Sequence, residues 1–188
     1  MRTKLIDNLY KLAEDACKDR NNKFGYGIWS HHIKPMVTIA RKLAKQFGAD
    51  EEIVIVATLL HDLAGIQNSE NKEDHHVIGA KKAEQILISY NYPPEKIKIV
   101  KQCIQNHRGS VNYQKSTIEE ICVADADAIV HMTELPSLFY AAYKEMGMTI
   151  EAGKAWLREK IIRDWHKMSE KSKTLFEQKY RAVLEILD

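Results

Sequence analysis

The sequence predicts an all-α, single-domain helical bundle, and three observations lead there. Glycine and proline are sparse, 8 and 4 in 188 residues, so helix breakers are few. No segment sustains the period-2 alternation of a half-buried strand. Apolar residues recur at helical spacing instead, between capping residues and turn-rich loops. The length suits one domain with its own core, taken as 1–188.

The elements follow in order. Leu5, Leu9, Leu12, Ala13 and Ala16 form the apolar stripe of a first helix, which stops at the turn-rich DRNNKFGYG. A second helix covers roughly His32 to Phe47, with Met36, Ile39, Ala40, Leu43 and Phe47 on one stripe. Pro35 is tolerated only in a first turn, which puts His32 at the helix start, and Gly48 ends it. Asp50, Glu51 and Glu52 supply the cap and acidic first turn of a third helix, apolar nearly all round and expected to run to about Gly65. After QNSENKED a fourth helix runs from about His75 to Tyr90. NYPPEK breaks the chain, and Pro93 or Pro94 starts a fifth helix ending near His107. Beyond RGSVNYQ, Ser116-Thr117-Ile118-Glu119 fits a capping box opening a sixth helix through about Thr133. Pro136 begins a short seventh. From about Thr149 come two amphipathic helices divided near Ser169 to Ser172, with Trp156, Trp165, Phe176 and Tyr180 as core aromatics and REKIIRDWHK as a solvated face with an apolar back, an edge of which is free to cover the site mouth or to pair with a second subunit, the sequence selecting neither. No repeat, low-complexity tract or linker divides the chain.

Composition excludes several classes. A net charge of +2 gives no field for nucleic acid or an anionic membrane. The longest apolar run, Ile53 to Leu60, is too short to span a bilayer, and the N-terminus lacks a signal-peptide core. Cys17, Cys103 and Cys122 form no tight pair, as expected of reduced, packing cysteines in a cytoplasmic protein.

The chemistry gathers around LLHDLAG. His61 and Asp62 directly follow the oiliest helix of the chain. A helix C-terminus reaching water explains His61, which the helix dipole favours there. Asp62 counts mildly against that reading, since a carboxylate near a helix C-terminus is electrostatically disfavoured and a dication would reverse the sign; on the doublet alone, that reading and a functional one stand level. His32, His75 and His107 also fall at helix ends, where a histidine serves as a cap or surface group as readily as a ligand. Asp127 lies amid the apolar residues of ICVADADAIV, as a hydrogen-bonded buried acid or as a ligand. Gathered at one end of a bundle, these imidazoles and carboxylates would suit Zn, Mn, Fe, Co or Ni.

The ordered set His32, His61-Asp62, His75, His107, Asp127 is carried by WSHHIKPMVTIARKLA, IVIVATLLHDLAG, DHHVIGAKKAEQIL, VKQCIQNHRGS and ICVADADAIVHM. It resembles the HD superfamily of metal-dependent phosphohydrolases over about Gly25 to Met132. The doublet alone is weakly specific; the full order is much more so. The resemblance selects His32 over His31, Asp127 over Asp125, and His75 over His76, since His75 stands four before Gly79 in an H-x-x-x-G-A pattern. It implies an HD-type bundle with a motif-bearing core at about 25–132 and a C-terminal helical extension at about 136–188. It also implies one or two divalent transition metals (Mn, Fe, Ni, Co or Zn, with Mg allowed). His32, His61, Asp62 and Asp127 would hold the first, and Asp62 would bridge to a second on His75 and His107. His61 and Asp62 become the catalytic pair. The implied reaction is hydrolysis of a phosphomonoester or phosphodiester of a small, nucleotide-like molecule by a metal-activated water. Arg108, Lys34 and His31 are the candidates for binding its phosphate.

Departures narrow this. Gly65 stands where nucleotidase-like and guanosine-tetraphosphate-hydrolase-like members often carry an acid, and neither HDIGK nor a GYP signature is present. His131, four after Asp127 on the same helical face, is not assigned by the family motifs. The same ligands also fit a di-iron oxygenase of the HD fold or a nucleotide-binding regulatory module with little turnover. The expected partner is a small phosphate ester or nucleotide, with no membrane or nucleic acid, and with a homo-oligomer allowed.

Overall fold

The structure, a computed structural model, describes residues 3–68, 74–108 and 114–188, so most of the QNSENKED and RGSVNYQ loops falls outside the described residues. The helices are α1 (Lys4–Lys18), α2 (Lys34–Phe47), α3 (Glu51–Leu60), α4 (Leu63–Gln67), α5 (His75–Ser89), α6 (Pro94–Asn106), α7 (Ile118–Thr133), α8 (Leu135–Tyr140), α9 (Ile150–Lys167) and α10 (Glu170–Leu187). Among the described residues two π-helical turns join them, Trp29–Ile33 before α2 and Ala141–Glu145 after α8. Among the described residues there is no strand, as the sequence predicts.

The core is built around α3. Every residue from Ile53 to Leu60 is buried, because α1, α2, α6 and α7 pack around that helix. Its start is fixed by Asp50, whose carboxylate accepts from the backbone N–H groups of Glu52 (2.9 Å) and Ile53 (3.2 Å). Gly48 closes α2 in the left-handed region at φ 78°. The second enclosed helix is α7, with an unbroken run of buried residues from Cys122 to Met132. In the C-terminal pair, Trp165 stacks on Tyr180 with ring centroids 4.2 Å apart, and all four expected core aromatics, Trp156, Trp165, Phe176 and Tyr180, are half-buried and pack against the core rather than inside it.

Three expectations need correction. The third helix does not reach Gly65. It ends at Leu60, and Asp62 leaves helical geometry at φ −104°, ψ 2° before α4 begins. The doublet therefore occupies a break between two helices. The second helix does not start afresh at His32, which lies within the π turn. The ring of Pro35 crowds the carbonyl four residues back, at His31, and the widened turn before it relieves that clash. The capping box on α7 is one residue later than expected, between Thr117 and Glu120. Glu119 is engaged elsewhere, accepting from the Asp50 backbone N–H at 3.0 Å.

No helix among the described residues is long and apolar enough to cross a membrane. All three cysteines are free and buried, and burial pushes the Cys17 and Cys122 thiols up to about 12, which suits packing rather than reactivity. Replacing Leu60, fully buried, with alanine is expected to destabilise the protein by about 2–5 kcal/mol in urea unfolding, because a cavity opens beside the enclosed helix. Ile150→Ala, at a site 72% exposed, is expected to change stability by less than about 0.5 kcal/mol.

Candidate metal centre

Five elements deliver side chains to one point: the Trp29–Ile33 turn (His32), the α3–α4 break (His61, Asp62), the start of α5 (His75), the residue after α6 (His107) and the middle of α7 (Asp127). The four imidazoles face one another through Nε2. His32 Nε2 lies 3.2 Å from His61 Nε2, and His75 Nε2 lies 3.4 Å from His107 Nε2. Asp62 stands between the two pairs and divides its oxygens. Its Oδ2 is 3.2 Å from His61 Nε2 and 3.5 Å from His32 Nε2. Its Oδ1 is 3.3 Å from His75 Nε2 and 3.7 Å from His107 Nε2. Asp127 joins the first pair, with Oδ1 at 3.6 Å from His32 Nε2. His32, His61 and Asp127 form one group able to hold a metal ion, and His61, Asp62 and His107 form another.

Local helix geometry aims two of the rings. Nδ1 of His61 donates to the Thr58 carbonyl at 2.8 Å, and Nδ1 of His107 donates to the Ile104 carbonyl at 2.6 Å. Each bond ties a ring to the backbone three residues earlier. It puts the proton on Nδ1 and turns Nε2 toward the shared space, the arrangement a histidine ligand needs. The charges are strongly coupled. Burial alone would lower the pKa of His61, but Asp62 beside it outweighs burial and raises it to about 9. Burial, helped by the neighbouring His61, takes His107 the other way, to about 3. Burial would raise Asp62, yet His61 and His32 hold it well below the usual carboxylate range. A cation entering this space would displace the His61 proton, since only a neutral imidazole can donate its lone pair.

The centre opens into a cavity of about 810 Å³. His31 and Arg108 line it, His31 at an exposed position with Nδ1 3.4 Å from a Glu134 oxygen. Lys34 does not: it is exposed at the first position of α2, outside the cavity lining. Gly65 lines the cavity, and a Cβ there would meet His75 Cβ at 3.5 Å, so an acid at this position would stand against a ring of the centre. Phe24, Ile28, Leu138, Tyr140, Met146 and Trp156 give the rest of the cavity an apolar and aromatic wall.

The HD domain family matches residues 29–132, more than half of the chain. This chain is a member of the HD superfamily. A protein of Clostridium beijerinckii is 25% identical over 128 residues, which is 62% of this chain and 79% of its own length. Ribonuclease Y of Clostridium kluyveri is 30% identical over 106 residues, or 56% of this chain, but the match spans only 18% of that enzyme. Among solved structures, YpgQ of Bacillus subtilis superposes with a TM-score of 0.70 at 18% identity, covering 98% of this chain and 92% of its own. YpgQ is also known in complex with ADP. An HD-superfamily hydrolase of Bacillus thuringiensis gives a TM-score of 0.67 at 22% identity, covering 97% and 92%. At those identities the likeness is one of fold, and the fold is that of the HD hydrolases.

The HD match ends at residue 132, yet the cavity does not. Lys160, Arg163, Asp164 and Lys167 of α9 line it, all within the stretch expected to be a solvated face. Lys167 Nζ contacts Asp127 Oδ2 at 2.5 Å and Asp164 Oδ1 at 3.4 Å. Asp164 Oδ2 lies 2.9 Å from Nδ1 of His131, whose ring stacks on His32 with centroids 5.0 Å apart. Asp127, His131 and Asp164 are a third group of metal-ligating type, but Lys160 and Lys167 already balance its two carboxylates. Asp125, set aside in favour of Asp127, accepts from the Ser169 backbone N–H and hydroxyl instead. One signal for the α9 residues was available: positions 160, 163, 164 and 167 share a helical face. Spacing alone does not say whether such a face meets water or a cavity.

In the metal-free HD protein, the ring nitrogens of His107 are expected to keep neutral 15N NMR shifts down to about pH 3. An unfolded chain protonates that ring near pH 6.5 while the folded one refuses the proton, so His107 should contribute a loss of stability as pH falls from about 6.5 to about 3. A ring that titrates near 6.5 in the folded protein would contradict the burial argument.

Proposed function

We propose that this protein is a metal-dependent phosphohydrolase that cleaves a phosphomonoester or phosphodiester of a small, nucleotide-like molecule. The observation that carries the reading is the division of the Asp62 oxygens between two histidine pairs. One carboxylate with each oxygen facing its own imidazole pair suits a bridge between two cations. His32, His61, Asp62 and Asp127 would hold the first metal, and His75, His107 and the other Asp62 oxygen the second. Nitrogen and oxygen donors of this kind favour Mn, Fe, Ni, Co or Zn over a wholly oxygen-coordinated ion. When bound, such metals lower the pKa of a water ligand from about 15.7 toward about 7 and neutralise charge on a phosphoryl group.

The chain's own residues supply the rest. Helix-anchored His61 and His107 keep their Nε2 lone pairs directed, so little reorganisation is needed at the moment of reaction. Arg108, next to His107, brings a guanidinium to the cavity lining for phosphate oxygens, and His31 lines the same cavity from the Trp29–Ile33 turn. The apolar and aromatic wall suits the flat ring of a nucleoside. The ADP complex of the fold relative YpgQ supports a nucleotide-like ligand of this size.

Metal analysis of the purified protein, followed by a phosphatase and phosphodiesterase screen with Mn, Ni, Co, Mg or Zn added, tests the reading. The expected result is bound transition metal and metal-dependent phosphate release. Asp62→Ala is expected to lose metal and to reduce turnover to background; retained hydrolysis in that variant would falsify the assignment. Iron with oxygen uptake and no phosphate release would replace it with an oxygenase, and tight nucleotide binding without turnover would leave a binding module.

A further inference from the structure

We infer that Lys167 is a positioning residue, holding Asp127 so that one carboxylate oxygen faces the histidines, and thereby making the C-terminal helices part of the metal centre. The inference rests on the metal-centre reading above. Lys167 is the last residue of α9 and lies beyond the HD match. Its side chain is 7% exposed, and Nζ reaches three acceptors: Asp127 Oδ2 at 2.5 Å, the His107 carbonyl at 3.2 Å and Asp164 Oδ1 at 3.4 Å. Two of the three ammonium protons are given to Asp127 and the His107 carbonyl, and the Asp164 carboxylate stands within ion-pair distance of the third. With Oδ2 held, Asp127 presents only Oδ1 inward, 3.6 Å from His32 Nε2. The bond to the His107 carbonyl extends the hold to the other half of the centre, because His107 carries a candidate ligand for the second metal.

The stem of Lys167 is fixed as well. Two residues on, Ser169 gives its backbone N–H (3.0 Å) and hydroxyl (2.5 Å) to the two oxygens of Asp125. Met168 between them is buried. The α9–α10 junction is thus pinned to α7 at Asp125 and Asp127, two residues apart on each side. A residue that orients a metal ligand typically changes metal affinity about 10- to 100-fold when removed.

Calorimetric titration of Mn²⁺ into chelator-stripped full-length protein tests this. Lys167→Met is expected to weaken Mn²⁺ binding about 10- to 100-fold, and Lys167→Arg, which keeps the charge and the donors, to recover much of it. Tyr180→Leu, which removes the Trp165 stacking partner and none of the Lys167 contacts, is expected to lower the melting temperature and leave Mn²⁺ affinity unchanged. Equal losses in Lys167→Met and Tyr180→Leu would reduce Lys167 to a packing residue. Unchanged Mn²⁺ affinity in Lys167→Met would leave it no positioning role. Either result overturns the inference. If Lys167→Met does not fold, hydrogen exchange on the unaltered protein decides. Amides at the end of α9 should slow when Mn²⁺ binds, and unchanged exchange there overturns the proposal. Failure of the unaltered protein to bind any metal would instead bring down the metal-centre reading, and this inference with it.

Discussion

Carboxylates taken out of water must be matched by positive charge or hydrogen bonds, and that requirement organises this molecule. Asp127 is buried and Asp62 half-buried, within reach of four imidazoles. The partners come from elements far apart in sequence, so satisfying two acids fixes the relative placement of the Trp29–Ile33 turn, the α3–α4 break, α5, α6, α7 and α9. The group is tolerable because opposite charges alternate through it: Lys167 beside Asp127, His61 beside Asp62, Lys160 beside Asp164.

Apolar packing supplies the frame that carries these polar groups. Enclosed on all sides, α3 ends at a fixed place, and the doublet follows at once. Continuing the helix through Asp62 would carry its carboxylate along the α3 spiral. Leaving helical geometry there lets Asp62 stand between two imidazole pairs while α4 resumes from its own carbonyl, which accepts from the Ile66 N–H at 3.0 Å.

Much of this was legible in the sequence because it is written in local signals. Asp50, Gly48, Pro94 and Ser169 mark helix ends where caps and breakers belong. His32, the doublet, His75, His107 and Asp127 stand out because titratable residues beside apolar stripes need a reason. What escaped reading depends on partners distant in the chain. The break at Asp62 follows no proline or glycine. The capping box moved by one residue because Glu119 binds a backbone group near residue 50. The charges of REKIIRDWHK have the periodicity of any solvated helix, and only the packing of α9 against α7 turns that face inward. Lys34 shows the converse, a plausible charge near a ligand that the helix start directs to solvent.

The carbonyl bonds of His61 and His107 have one more consequence. Each ring is tied to the helix that carries it, so neither can drift on its own. When α3 or α6 shifts, its imidazole shifts as a rigid body with it. The gap between the two nitrogens therefore follows the distance between those helices, which pack directly on each other. The buried side chains of α3 and α6, with no chemistry of their own, thereby space the two rings. The core sets the gauge of the metal centre.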